Sequence, residues 1–327
     1  MAKLEQEGRT SVLDKGLLED GLIIISQCKK ETGDIWHAHF GAAAIASYFF
    51  IKENNLPPDV ERKVIAQASK MVKKHTLPYS KNEQKRSDIN HAERIILESL
   101  DRTIDQLHWV GHNVIYAALS LLAIHELRCC VTEEDIRGIS ELIVSFDKTI
   151  PGRSWLGYSA SEVKKLDIAV SDNISEINSA EQLSEFVLKE VAAFNVIYRA
   201  ESHHDLIAHM LTFSHALNIL YDLGHVTYFK RGIYPLLKLV KVLRASRDIE
   251  ADSPIQLFSP VDRKPLEKST RNPHLPIELG FWINENDDHD WDFGHQFKFP
   301  YSFYNHMNRV KEVDELSVEK FRYLVKG

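Results

Sequence analysis

Between residues 11 and 250 apolar side chains recur every three to four positions, the spacing of helices with one buried face. Ser11 with Asp14 three residues on predicts a capped helix running to about Lys30. A second helix fits 34–54, where Ala42, Ala43, Ala44 and Ala46 favour helix and let a neighbour come close. Pro57-Pro58-Asp59 opens a third, to about His75, because proline is tolerated in a first turn. After a polar stretch from Lys81 to Ser87 the order recurs at 88–105, 108–127 and 133–150, the last opened by Thr132 with Asp135. A third set begins with Ser179 and Gln182, runs to about Tyr198, and continues at 203–223 and from Pro235 to Ser246.

The middle helix of each set is the most apolar, and histidine introduces each: Trp36-His37-Ala38-His39, His108-Trp109-Val110-Gly111-His112 and Ser202-His203-His204-Asp205. This pattern suggests three loosely repeated three-helix units, stacked or curled into an α/α toroid. An irregular helical domain is the alternative. From Asp252 prolines interrupt a stretch rich in Phe, Trp and Tyr, expected to be an ordered loop packed over the helices. A last helix is expected from about Ser317 to Val325. The expected fold is all-α, a multi-helix array or toroid-like domain of about nine or ten principal helices. Residues 1–250 form its body, and 251–327 form an aromatic loop cover and terminal helix on the same domain.

Charge narrows the function classes. A formal charge of −7 over 327 residues offers no basic footprint for nucleic acid. No continuous apolar run reaches the roughly eighteen residues that span a bilayer, and the acidic N-terminal stretch does not read as a secretory signal. Cys28, Cys129 and Cys130 cannot form a disulfide framework, and reduced thiols in a cytoplasm are expected. The unusual count is sixteen histidines, the residue that both ligates metals and moves protons near neutral pH.

Helical spacing sorts them. At about 100° per residue, the stripe through 203–223 carries His204, His215, Asn218 and Asp222 on an otherwise apolar helix, more like a polar cavity wall than a solvent face. In 108–127, His108 and His112 have the i, i+4 spacing by which two imidazoles grip one metal, with Tyr116 beside them. In 34–54, His37 aligns with Gly41, Ala44 and Tyr48, and His39 points elsewhere unless it precedes the first turn. His204 and His215 stand about 16 Å apart along an ideal helix, too far to share one ion directly. His108 and His112 are therefore the better pair, with His204 or His215 as third ligand. The alternative is that the histidines act as acid and base groups without a metal, with Asp205 or Asp222 orienting an imidazole.

Known signatures do not account for the chain. His204-Asp205 matches the dipeptide of the HD phosphohydrolases, but beyond the adjacent His203 the nearest upstream histidine is His125 and Asp222 follows too closely, so that activity is not carried over. His-Glu-x-x-His, phosphate-loop and nucleophile-elbow motifs are missing. The segment from Asn284 to His295 has carboxylates suited to a hard cation but no EF-hand spacing. Arg128, Arg153 and Arg199 are candidates for a substrate carboxylate.

The expectation is a small-molecule enzyme with a histidine-lined pocket, a zinc- or iron-dependent hydrolase, lyase or oxygenase, with no nucleic-acid or membrane partner. His108, His112, His204 and His215 are the candidate ligands. Tyr116, Asn218 and Asp222 are the candidate catalytic groups, and His37, Trp291, Phe293 and His295 the substrate contacts. The competing expectation is a non-catalytic helical-repeat scaffold, in which each histidine would be separately satisfied.

Overall fold

The computed structural model describes residues 15–79, 86–128, 131–169, 172, 176–283, 294–312 and 314–325. The acidic segment with Trp291 and Phe293, and the Cys129-Cys130 pair, lie outside them. Twelve helices are described: α1 Gly16–Thr32, α2 Ala38–Glu53, α3 Pro58–His75, α4 Ile89–Asp101, α5 His112–Leu127 and α6 Glu133–Val144. After them come α7 Ala160–Lys165, α8 Ala180–Ala192, α9 Leu206–Asp222, α10 Val226–Arg244, α11 His295–Met307 and α12 Glu315–Phe321. The described strand structure is one antiparallel pair, Trp155–Leu156 against Leu257–Phe258. The all-α expectation holds.

Local sequence sets several ends as expected. Thr132 and Asp135 form a reciprocal capping box on α6, Ser179 accepts from Gln182 N at the start of α8, and Pro58 opens α3. Two expectations need correction. Helix α10 begins at Val226, with Pro235 buried inside it, and residues 295–307 form helix α11 around Pro300 where a loop was expected. In α11 the hydrogen bond lost to proline is offset by burial of Phe297, Phe299, Tyr301, Phe303 and Tyr304.

Helices α2, α5, α9 and α11 pack in a ring, each against two of the others, with most of the remaining helices outside them. The four run in one direction. Their C-terminal ends are tied together by the Lys52–Glu126 ion pair, the Asn308–Asn54 hydrogen bond at 3.1 Å and the Arg309–Asp222 pair. Their N-terminal ends therefore also meet. Small residues allow this closeness: a Cβ on Gly294, at φ +72°, would lie 2.4 Å from the Cβ of Ala43. Trp109–Leu127 is the one described stretch long and apolar enough to cross a membrane, and most of it is buried inside the protein.

Candidate metal centre

Each of the four central helices places one histidine in its opening turn: His39 second in α2, His112 first in α5, His209 fourth in α9 and His295 first in α11. Their rings close a circuit, with centroids 4.5 Å apart for His39–His112, 4.9 Å for His112–His209, 5.0 Å for His209–His295 and 5.7 Å for His39–His295. Ligand atoms of His39, His209 and His295 all lie within 4.8 Å of one another.

The Nδ1 atoms fix the tautomers. His39 Nδ1 is 2.9 Å from Trp36 O and 2.6 Å from the Tyr116 hydroxyl, which donates to Ile35 O at 3.2 Å. His112 Nδ1 meets Trp109 O. His209 Nδ1 lies 2.8 Å from Asp205 O and 3.2 Å from its carboxylate, and His295 Nδ1 is 3.4 Å from the other carboxylate oxygen. Carbonyls and carboxylates only accept, so each Nδ1 carries the hydrogen and each Nε2 keeps its lone pair. The Nε2 atoms of His112, His209 and His295 are buried without a hydrogen-bond partner.

Electrostatics keep three of these rings, His39, His112 and His295, uncharged. Burial pushes His39, His112 and His295 far below the usual imidazole range, and the ammonium of Lys298, itself buried, pushes the same way. Four positive helix ends add to that bias. Burial opposes ionisation of Asp205, yet its histidine neighbours, His209 first, hold its carboxyl below the ordinary range.

Local backbone detail presents the ligands. Ahead of α9, Glu201–Asp205 forms a π-helical turn, the kind of bulge that re-aims side chains. Asp262 caps it by accepting from Glu201 N at 2.9 Å and Ser202 N at 2.8 Å. Arg153 holds the Glu201 carboxylate through two nitrogens. Ahead of α5, Trp109, Val110 and Gly111 have φ of +41°, +51° and +95°, costly for the first two. A Cβ at Gly111 would fall 2.3 Å from the Phe213 ring.

The expected site residues divide. His112, His295 and Tyr116 belong to this centre. His108 does not pair with His112, because the reversed turn at 109–111 delays the helix to His112; its Nδ1 meets Thr149 Oγ1 at 3.1 Å. His204 turns back on Ala200, its Nδ1 3.0 Å from that N and 2.9 Å from that O. His37 Nε2 meets His75 O at 2.7 Å, because α2 starts at Ala38 and so turns His39 inward. His215 lies deeper in the bundle, 3.0 Å from Ser302 Oγ. Asn218 donates to Ser184 at 2.9 Å, and Asp222 is held by Arg309 at the opposite end. His209 was not singled out, although Asp205-x-x-x-His209 is a one-turn acid–histidine spacing legible in the sequence. No protein-family model matches the chain, and neither the curated proteins nor the solved structures give a match.

Proposed function

We propose that the four-histidine layer is a metal centre and that the protein is a metal-dependent enzyme acting on a small molecule. The observation that carries this is the set of Nδ1–H groups held on acceptors while the buried Nε2 atoms of His112, His209 and His295 have no hydrogen-bond partner. Uncompensated lone pairs buried together repel, and a cation relieves that repulsion. Metal-bound histidines characteristically anchor the other ring nitrogen on a carboxylate or carbonyl, as these do.

His39, His209 and His295 are the proposed ligands, with His112 beside them. Tetrahedral zinc with nitrogen ligands at about 2.0–2.1 Å sets the nitrogens roughly 3.3–3.4 Å apart, within the 4.8 Å bound of the trio. Zinc or iron suits an all-imidazole set; when bound it supplies a Lewis acid that activates water or, for iron, dioxygen. The chain's own groups do the positioning. Asp205 orients two rings, Tyr116 and the Trp36 carbonyl orient the third, and the Trp36–Trp109 pair, 4.5 Å between centroids, screens the layer from water.

A scaffold would satisfy each histidine separately, as His108 and His204 are satisfied. The convergence of four favours the enzyme, which we place in a reducing cytoplasm. The test is elemental analysis of protein purified without an affinity tag, compared with His209→Ala and His295→Ala. Stoichiometric zinc or iron that both variants lose supports the centre. Metal retained by both variants, or none taken up by the parent even after incubation with zinc and with iron(II), overturns it.

A further inference from the structure

The sequence spells one four-residue pattern twice, Trp36-His37-Ala38-His39 and Trp109-Val110-Gly111-His112, and the fold brings the two copies together. In each, the tryptophan carbonyl meets Nδ1 of the histidine three residues on. The two indole rings pack edge to face, 4.5 Å between centroids. The Trp36 ring also reaches the layer itself, 5.7 Å from the His39 ring and 6.3 Å from the His112 ring. Each tryptophan therefore has two separable parts: a backbone that holds a histidine of the layer, and a side chain that belongs to its cover.

An ion needs a way into this layer, in which His39, His112 and His209 are buried. Toward the C-terminal ends the ring of helices narrows to a cavity of about 10 Å³, room for one water. The helix ends beyond it are tied by ion pairs. Trp36 stands at the other end, half-buried, on the short loop between α1 and α2 whose Gly33 and Asp34 are exposed. Its backbone is pinned, because its N–H donates to Asp34 Oδ1 at 2.9 Å and its carbonyl accepts from His39. Only the ring is left to turn, about its side-chain torsions.

Trp109 is the stop against which that ring rests. It is set by a turn with φ of +41° at Trp109 and +51° at Val110. Two hydrogen bonds hold the turn, from Trp109 N to Ile150 O at 2.9 Å and from Val110 N to Pro151 O at 2.7 Å. Backbone strain of this kind persists where the surroundings over-determine it, at clamps and switches.

We propose, resting on the metal-centre reading, that the Trp36 side chain is the gate through which an ion reaches the histidine layer, and that Trp109 holds it shut. A cover that touches the ion neither before entry nor after it alters the barrier alone. It slows entry and loss by the same factor and leaves affinity unchanged.

Cobalt(II) is the probe, on the full chain. Its visible ligand-field bands report occupancy of the layer, and His209→Ala abolishes them. Entry is followed on mixing, and loss on adding excess EDTA. Trp109→Leu, which removes the edge-to-face pair, is expected to speed both about 2- to 10-fold. Trp36→Ala speeds both further at an unchanged dissociation constant, and Trp36→Phe falls between it and the parent. Parent rates in Trp36→Ala overturn the gate. So does faster loss without faster entry, since the matching fall in affinity makes Trp36 a prop for His39. If Trp36→Ala lowers the thermal midpoint, Trp36→Phe and Trp109→Leu decide by the same two rates. Absence of His209-dependent cobalt binding overturns the metal centre itself, whereas the other failures leave it standing.

Discussion

The Asp205 carboxylate lies 3.2 Å from His209 Nδ1, one helical turn along, and the Asp205 backbone carbonyl meets the same atom at 2.8 Å. One residue thus fixes that ring twice, and its second carboxylate oxygen reaches His295. Asp205→Asn keeps the shape but offers one acceptor oxygen for two rings. Metal affinity is expected to fall about 10- to 100-fold, the usual effect of removing an outer partner of a ligating histidine. Competition with a chromophoric chelator measures it. Unchanged affinity would separate Asp205 from the centre.

His204 and His209 are both histidines of one helical run with opposite expected phenotypes. His209→Ala should abolish metal binding and leave helical content intact. His204→Ala should keep the metal and lose about 1–2 kcal/mol, because His204 Nδ1 satisfies the backbone of Ala200. Urea melts and elemental analysis of both variants decide it. Metal loss in His204→Ala would return that residue to the site.

Stability should fall as pH drops below about 6.5. Burial lowers His39, His112, His215 and His295 well below their unfolded value, and lowers His203 and His306 to about 4. The folded chain refuses protons that the unfolded chain accepts. The stabilisation is therefore whole above the unfolded pKa and erodes as pH falls from 6.5 toward 4. Each such histidine contributes about 1.4 kcal/mol per pH unit at most. Chemical denaturation of metal-free protein at a series of pH values should give a steep decline in that window. A flat profile there would contradict the burial of these rings.

Gly111 has φ +95°, and a Cβ there would lie inside contact with the Phe213 ring. Gly111→Ala should cost about 2–5 kcal/mol, strain and overpacking together. Because the turn aims His112, metal release should quicken as well. The paired variant Gly111→Ala with Phe213→Ala should recover part of the metal binding. Gly111→Ala at parent stability would show that the turn relaxes freely.

Apolar periodicity carried the helices, and capping residues such as Thr132 and Ser179 carried their starts. The site was only half legible. On sequence His112 stands out as a ligand, Tyr116 as a catalytic group and His295 as a substrate contact, but His108, His204 and His215 were favoured as ligands over His39 and His209. The reason is phase. Stripe arguments assume an unbroken helix from the first apolar residue, whereas the chain inserts a left-handed turn before α5 and a π-turn before α9. Each moves the register of the opening residues and changes which histidine faces inward. Helix α11 was hidden for another reason, since Pro300 reads as a breaker until its aromatic neighbours are known to be buried on both sides.

The common direction of the four central helices has a consequence for how the chain is made. Parallel neighbours require the backbone to travel back outside the ring between them, so the histidines are dispersed at 39, 112, 209 and 295. On a ribosome the first three emerge well before the fourth, since His295 follows His209 by 86 residues. An ion that needs His295 cannot seed this fold from a nascent fragment. It can only lock a ring that packing has already brought nearly to closure, so a truncated chain ending before α11 should accumulate without a metal.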